Sequence, residues 1–417
     1  MSIVAIVVCF SIAIFSYLKE RNIVNPVTIM SGIWGIISFL ANLRLFRIYG
    51  GSDLTYFLIS MGIVMFAIGA FINQSISLRL KINSHRLINR ASDYKYNYHL
   101  LYSLCVISFL IMLYPAIVAG IKVYVFGNSL SYVRNNIELY NVTILNAAYN
   151  YLAFPFSIAI IPIYSLYFFT VKKRNKWLGL FVILIIIERV MIEGGRFLIL
   201  YLVCDLSISY MITKRKQSFK LNTKAKIAIL SIMLFSVGMI FYITTERGID
   251  NFWDSIYIYF CGVIPHLSKR LDIIQHLHER TFGMASLNGF FEFIFTMSDN
   301  IGLGQPSFFS SVKALSYVED RIIISGNGMT FNAFVGPFYY LFLDGRFFGV
   351  GLGMLIWGEV SNHFYKHIWR HDFNLRSAAV YVLLAQAILL SMVRIEFANI
   401  YYVMSFVYIF LIIRRKT

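Results

Sequence analysis

Charged residues are scarce in this chain. Asp, Glu, Lys and Arg make up 14% of its 417 residues, whereas soluble domains carry about 25%. Cysteine is scarce too, and three of the four cysteines, Cys9, Cys105 and Cys204, lie inside apolar runs. Only Cys261 could lie in a long polar loop, so no disulfide pair is available there. The sequence therefore excludes a disulfide-stabilised secreted domain and argues against a soluble globular fold.

Several motifs of common enzymes and pumps are missing. The sequence contains no GxxxxGK[ST] phosphate-binding loop, no CxxC pair and no HExxH pattern, which argues against an ATP-driven pump and against a zinc site. His276 and His278 have a weak metal-ligand spacing and no clear third partner. No broken helices recur in two matching halves, which disfavours a secondary transporter. We therefore predict no metal and no cofactor.

Apolar sequence is abundant, with 59% hydrophobic and 17% aromatic residues. A soluble core of this length could not bury so much apolar surface, whereas a lipid bilayer can surround it. Since a span needs about 20 mostly apolar residues, we predict an all-α polytopic membrane protein with about eleven transmembrane helices, in a range of about 10 to 12. The predicted spans lie near residues 2–18, 27–43, 54–73, 98–119, 147–171, 177–192, 196–213, 226–244, 346–364, 376–393 and 396–413.

The charges that are present are unequal in sign, with 37 Lys and Arg against 20 Asp and Glu and a net charge of +17. On a soluble protein this excess would suggest nucleic-acid binding. Here most basic residues lie in short loops between apolar runs, where membrane topology and anionic lipid headgroups explain them. Their distribution predicts an outside N-terminus and a cytoplasmic C-terminus, with membrane lipids and not nucleic acid as partners.

One connection is far longer than the others and is predicted to lie outside. We divide the chain into the first eight spans (1–245), this external loop (246–345) and the last three spans (346–417). The loop includes an amphipathic stretch at 252–260 and an apolar run at 331–343 that is too short to cross a bilayer. Because Gly336-Pro337 would break a helix there, we predict a re-entrant or interfacial element near 331–344.

Arginines recur at the outward ends of the predicted spans, where the topology rule leaves few positive charges. Arg is costly in lipid, and its planar fork binds phosphate oxygens in a bidentate manner. Some of these arginines could instead reach lipid headgroups or pair with Glu193, Glu246 or Glu396. We predict that several of them line one polar pocket suited to a phosphate; the candidates are Arg189, Arg196, Arg247 and Arg394.

The external loop carries a second set of candidate residues. His266 and Arg270 are four residues apart, which places them on one face of a helix. His titrates near neutrality and can take a proton from a sugar hydroxyl, so both are candidate catalytic residues. Aromatic residues and one Asp are candidates for a sugar-binding surface: Trp253, Tyr257, Tyr339, Tyr340 and Asp344. The alternatives are solvated loop residues and an interfacial aromatic belt.

Short motifs in the second half of the chain occur in a characteristic order. They are Gly195-Arg196 at the start of a span, Glu246-Arg247-Gly248 at the start of the loop, Tyr257-Ile258-Tyr259-Phe260-Cys261-Gly262 within it, and the run Gly328-x-Thr330, Phe338-Tyr339-Tyr340, Asp344-Gly345 and Gly349. In this order, and with this number of helices, the chain resembles bacterial oligosaccharide repeat-unit polymerases of the O-antigen and capsular polysaccharide type. One departure is that Arg346 and Phe347 follow Gly345, where the family often carries a Phe-Gly-type pair.

The resemblance implies a multi-span glycosyltransferase at the outer face of the bacterial inner membrane. It would transfer the growing glycan from undecaprenyl pyrophosphate onto a second lipid-linked repeat unit, so donor and acceptor are both lipid-linked glycans. A chain-length regulator and a flippase are further expected partners. The four outward arginines would bind the pyrophosphate, without a metal. The alternatives are an O-antigen-type ligase, which shares the donor, and a lipid-linked oligosaccharide flippase or transporter.

Overall fold

A computed structural model of the chain describes residues 1–81, 94–129, 132–133, 143–171, 174–195, 197–216, 238, 252–300, 302, 304, 306–332, 334–369 and 373–415. Most of these residues are helical. The helices are α1 (Ser2–Glu20), α2 (Pro26–Asn42), α3 (Asp53–Lys81), α4 (Tyr98–Tyr124), α5 (Thr143–Ala148), α6 (Phe154–Thr170), α7 (Lys176–Glu193), α8 (Phe197–Lys216), α9 (Phe252–Cys261), α10 (Val263–Ile274), α11 (Asn288–Asn300), α12 (Ser307–Ser316), α13 (Gly336–His367), α14 (Leu375–Leu389) and α15 (Ile400–Ile412).

The described strands are short and form two antiparallel pairs. Strand β1 (Tyr94–Tyr96) pairs with β4 (Ile413–Arg415), and Tyr94 lies opposite Arg415. Strand β2 (Ile322–Ile323) pairs with β3 (Thr330–Phe331), and Ile322 lies opposite Phe331. The second pair forms a hairpin in the segment that was predicted to be the external loop.

Six of the described helices are long and apolar enough to cross a membrane. Their ranges are Ser2–Glu20, Asp53–Ile72, Tyr98–Tyr124, Ile144–Thr170, Phe197–Lys214 and Gly336–His367. Helices α2, α14 and α15 are apolar but shorter. The chain is thus an all-α protein with the helices of a membrane protein, as predicted, but the count of eleven spans is not confirmed. The predicted span 226–244 lies outside the described residues.

Asparagine side chains begin three of these helices. The side-chain oxygens of Asn25, Asn97 and Asn175 accept hydrogen bonds from backbone N–H groups in the first turns of α2, α4 and α7. Such caps satisfy donors that have no partner within the helix. Helix α7 ends at Gly194, which has a left-handed backbone conformation with φ of 56°. Both kinds of signal are local, so these boundaries follow from sequence alone.

The described chain divides into two compact units. Unit 1 consists of Met1–Arg90, Trp253–His367 and Ala387–Ile400, and unit 2 of Ala91–Phe252, Ile368–Gln386 and Tyr401–Thr417. In unit 1 the external-loop helices pack with α2, α3 and α13. In unit 2 helix α6 is almost completely buried and packs against α8. This division follows contacts in space, whereas the sequence suggested three consecutive segments.

Helices α3 and α13 of unit 1 approach each other at glycine. A methyl group added at Gly69 would overlap the backbone carbonyl of Leu355, and one added at Gly358 would overlap that of Phe66. Such backbone-to-backbone contact is typical of small residues at helix interfaces in membranes. Phe338 lies against Gly62 of α3 in the same way. The contact fixes the start of α13, which borders the candidate site.

Helix α13 changes direction near its start. Gly336 has a φ of 64°, and Pro337 follows in the first turn, where its missing N–H costs no hydrogen bond. The helix is then interrupted at Gly345 and Arg346. The segment 336–344 is buried, and Leu341 contacts Gly349 and Gly353 beyond the turn. Gly336-Pro337 therefore starts a helix, and the short apolar element predicted near 331–344 forms a buried helical segment that folds back on the rest of α13.

Unit 1 has two distinct ends. At one end the amino group of Met1 lies 3.4 Å from Asp53 at the start of α3. At the other end Lys366 of α13 pairs with Glu20 at 2.5 Å. The 45–48 connection between α2 and α3 contacts the loop hairpin, because Ile48 bridges to Ser325. Residues 322–331 therefore lie at the same end of unit 1 as Met1 and Asp53.

Candidate functional site

His266 and Arg270 lie on the buried face of α10 in unit 1. His266 is completely buried, and its Nδ1 lies 2.7 Å from the carbonyl oxygen of Phe334. Since that oxygen can only accept, Nδ1 carries the proton and donates it. Nε2 then accepts a hydrogen bond from Nε of Arg270 at 3.4 Å. The predicted i, i+4 pair is therefore present, and the histidine orients the arginine.

Burial governs the protonation of His266. Burial lowers the pKa of the imidazole most, the Phe334 carbonyl opposes it, and the nearby positive charge of Arg270 adds to the lowering, so that the resulting pKa is about 4. A neutral imidazole therefore persists at physiological pH. A base of this strength that solvent cannot reach is poorly suited to take a proton from a sugar hydroxyl. The contacts favour a positioning role for His266 over the predicted catalytic one.

Arg270 reaches an acidic segment directly before the β2–β3 hairpin. Its guanidinium donates to the backbone oxygen of Asp320 at 3.0 Å and lies 3.9 Å from the Asp320 carboxylate. Asn332 donates to the backbone oxygen of Glu319 at 3.1 Å. The Arg270 side chain is 9% exposed, whereas that of Asp320 is 69% exposed. The sequence interpretation missed Glu319 and Asp320, although two adjacent acids before a predicted turn were a visible signal.

Two adjacent tyrosines of α13 connect Arg270 to Arg394. Tyr339 interacts electrostatically with Arg270, and Tyr340 with Arg394, Glu319 and Glu396. The Tyr339 hydroxyl donates to the Leu315 carbonyl at 2.9 Å, at the end of α12. Both rings are buried. Tyr339 and Tyr340, predicted to bind sugar, are therefore buried next to each other, with Tyr339 near Arg270 and Tyr340 near Arg394.

Arg394 lies in the turn between α14 and α15. Its Nε lies 3.8 Å from the buried carboxylate of Glu396, while 43% of the Arg394 side chain is exposed. The turn is attached to α13 because Val335 donates its N–H to the carbonyl of Val393 at 3.1 Å. Arg394 thus combines a fixed backbone with a guanidinium that a ligand can reach.

Asp344 stabilises the turn at 281–287. One carboxylate oxygen accepts hydrogen bonds from the Thr281 hydroxyl at 2.5 Å and the Ala285 N–H at 2.9 Å, and the other accepts from the Ser286 N–H at 3.0 Å. Asp344 is buried. Its oxygens are therefore engaged by the protein, which favours a structural role over the predicted contact with sugar.

Arg346, the residue that departs from the family pattern, also has a structural place. Its guanidinium donates to the carbonyl oxygens of Ile274, at 2.8 Å, and Leu277. These groups lie at the C-terminal end of α10, where carbonyls lack helical partners. Together with Asp344, it ties the interruption in α13 to the loop.

The remaining candidates lie elsewhere. Arg189 belongs to unit 2, where it is buried and bound by Ser157, the Phe154 carbonyl and Glu193. The Tyr257 hydroxyl donates to the Leu40 carbonyl at 2.7 Å and anchors α9 to α2. Arg196, Arg247 and the side chain of Trp253 lie outside the described residues. The structure therefore brings together Arg270, Arg394, Tyr339 and Tyr340, and leaves Arg189 apart from that group in sequence and contacts.

Comparison with protein-family models, with curated proteins and with solved structures finds no match. Among the residues that the structure describes, no three His, Cys, Asp or Glu side chains are grouped so that they could hold a metal ion. The functional argument therefore rests on this cluster, which we call the Arg270–Arg394 site: His266, Arg270, Glu319, Asp320, Tyr339, Tyr340, Arg394 and Glu396.

Proposed function

We propose that this membrane protein polymerises undecaprenyl-pyrophosphate-linked oligosaccharide repeat units by glycosyl transfer at the outer face of the bacterial inner membrane. The proposed topology has eleven spans, with an outside N-terminus and a cytoplasmic C-terminus. The observation that carries the proposal is the Arg270–Arg394 site, in which a buried helical segment bears aromatic residues between two guanidinium groups.

The residues at the two ends of unit 1 support the proposed orientation of the chain in the membrane. The Arg270–Arg394 site is built around the loop hairpin, and that hairpin contacts the α2–α3 connection near Ile48. Lys366 and Glu20 pair at the opposite end. Lys19 and Arg21 flank Glu20 in sequence. Positive charge at that end is typical of a cytoplasmic face and supports an outer location for the candidate site.

Charge is the main argument for a lipid pyrophosphate as ligand. Arg394 is half exposed, and its fork can bind phosphate oxygens in a bidentate manner. Arg270 is buried and held in place by His266 and the Asp320 backbone, so its charge is preorganised. Fixed cations of this kind stabilise developing negative charge strongly where water is excluded. A departing pyrophosphate develops such charge.

The proposed reaction is a displacement at the anomeric carbon of the donor glycan. The oxygen of an acceptor sugar hydroxyl forms the new glycosidic bond, and the bond from the anomeric carbon to the pyrophosphate oxygen breaks. The lipid pyrophosphate leaves with the electron pair and is stabilised by Arg394 and Arg270. The hydroxyl proton passes to a carboxylate, for which the exposed Asp320 is better placed than the buried His266.

Reconstitution tests this proposal. The purified chain is placed in liposomes with a synthetic undecaprenyl-pyrophosphate repeat unit, with and without a chelator, and products are separated by length. We expect a ladder of products in both conditions. Arg394→Ala should slow polymerisation by about 100-fold or more, and Arg394→Lys should restore only part of the rate, because the bidentate fork is lost.

The matched control is Arg415→Ala, which removes an exposed arginine of β4 that is remote from the site in sequence and belongs to unit 2. It should leave the ladder unchanged. An unaltered ladder in Arg394→Ala would remove the site assignment. Transfer only to an added lipid acceptor, with no ladder, would identify a ligase. Movement of the lipid-linked unit between leaflets without a new glycosidic bond would identify a flippase.

A further inference from the structure

A buried carboxyl group lies within unit 2, in the middle of α8. Asp205 is 0% exposed, and neither of its carboxylate oxygens has a hydrogen-bond partner among the residues that the structure describes. The residue is enclosed by protein and does not face lipid. Ionisable residues inside membrane helices are costly and are generally retained for a function. Asp205 plays no part in the Arg270–Arg394 site.

The surroundings of Asp205 contain hydroxyl groups but no described cation. Ser209 lies one helical turn further along α8, on the same face. Its hydroxyl lies 2.7 Å from that of Ser165 on α6. Since Ser165 donates its proton to the carbonyl of Pro162, at 3.0 Å, Ser209 must donate to Ser165. Ser209 therefore keeps lone pairs that can accept a hydrogen bond from a neighbouring acid.

Pro162 in α6 leaves a backbone carbonyl available as a second hydrogen-bond acceptor near Asp205. Pro162 has no N–H, so the carbonyl of Ile158 lacks its usual donor. Helices α6 and α8 are joined through α7 by short connections, so they run in the same direction. The Ser165–Ser209 contact then places Asp205 near the turn of α6 that contains Pro162.

Within the part of the chain that the structure describes, no titratable group is hydrogen-bonded to Asp205. Cys204 beside it is the group with which Asp205 interacts electrostatically. Tyr164 and Tyr167 belong to α6, while Glu188, Arg189 and Glu193 belong to α7, and Arg189 is already bound by Glu193. The other such groups on α8 are Tyr201, Tyr210, Lys214, Arg215 and Lys216. A charged Asp205 would be an unpaired buried ion, which is strongly disfavoured.

We propose that Asp205 is a proton-binding site within the membrane-embedded part of unit 2. In the protonated form the carboxyl group is neutral and can donate a hydrogen bond to Ser209 on the same helix, whose hydroxyl contacts Ser165 of α6. Loss of the proton would put a negative charge into that contact, so the packing of α6 against α8 depends on proton binding. The site takes a proton and not a metal ion, and it is independent of the proposed polymerase activity.

Infrared difference spectroscopy on the full chain in lipid nanodiscs tests the proposal. At pH 7 the spectrum of the wild type minus that of Asp205→Asn should contain the carbonyl band of a protonated carboxyl group. Carboxylate bands should replace it as the pH is raised. The matched control is Asp272→Asn, which removes an exposed carboxyl of α10 by the same substitution. Its difference spectrum should show a carboxylate at pH 7.

Two results would overturn the proposal. The first is a carboxylate signal for Asp205 at pH 7. The second is conversion of the protonated band to carboxylate when Na⁺ is added at constant pH, which would identify a sodium site. Thermal stability provides a second measurement. The unfolded chain releases the Asp205 proton above about pH 4, so the wild type should lose stability as the pH rises from there. Asp205→Asn, which cannot ionise, should lose less. Equal losses in both proteins would contradict a role of this proton in packing.

Discussion

Replacing Asp344 by alanine should destabilise the protein through the 281–287 turn. The substitution leaves the buried N–H groups of Ala285 and Ser286 without acceptors. Each unsatisfied buried donor costs about 1–3 kcal/mol, whereas the hydroxyl of Thr281 can rotate toward another acceptor. We therefore expect Asp344→Ala to lower the free energy of unfolding by about 2–5 kcal/mol. Asp344→Asn keeps one oxygen and should cost about 1–3 kcal/mol.

Equilibrium unfolding in mixed detergent micelles measures these differences. Protease cleavage within the 281–287 turn should rise in the same order, from wild type through Asn to Ala. The control is Asp272→Ala, which removes an exposed carboxyl group of α10. If Asp344→Ala keeps wild-type stability but loses polymerisation, the structural interpretation is wrong, and the carboxylate contacts the glycan, as the sequence first suggested.

The other predictions concern packing and pH. Gly358→Ala should lower the free energy of unfolding by about 1–3 kcal/mol or more, since its methyl group would overlap the Phe66 carbonyl. Gly351→Ala on the same helix should be tolerated, because the nearest neighbour of its methyl group would be 3.9 Å away. Equal losses of stability in the two variants would contradict the close contact. Trp34→Phe removes the 2.9 Å hydrogen bond to Ser391, and the loss of this bond should lower the free energy of unfolding by about 1 kcal/mol. Ser391→Ala is the partner in a double-mutant cycle. Additive effects of the two substitutions would mean that the residues are not coupled. The pKa of His266 is lowered to about 4, so the unfolded chain binds more protons below the ordinary value of about 6.5. Stability should therefore fall by about 2–3 kcal/mol between pH 7 and pH 4 on account of this residue, and His266→Gln should show a shallower fall; parallel curves would refute the assignment.

Hydropathy was sufficient to predict where the long apolar helices lie, but it did not predict α11 and α12. A helix occupies every predicted span that falls within the described residues, because the length of an apolar run is a property of the local sequence. The i, i+4 relation between His266 and Arg270 is confirmed for the same reason, since helical spacing determines it. The proline at position 337 was misread, because a proline in the first turn can start a helix as well as end one.

Contacts between residues that are far apart along the chain could not be predicted from the sequence. Asp344 meets Thr281, which is 63 positions away, and no local pattern indicates that its oxygens are already engaged. Tyr339 and Tyr340 were found as candidates through their composition, but their link to Arg270 and Arg394 depends on how α13 folds back. Asp205 was visible in the sequence as an acid within an apolar run, but its burial was not, because hydropathy records the content of a helix and not which face is enclosed.

The glycine contacts between α3 and α13 have a mechanical consequence. No layer of side chains separates the two backbones at Gly69 and Gly358, so neither helix can slide or roll without a steric clash. Tyr339 and Tyr340 therefore belong to a helix that is held rigidly against α3 within unit 1. Under the proposed function, glycans that differ in length must then be accommodated by movement of the surrounding loop residues, while the two tyrosines stay fixed relative to α3.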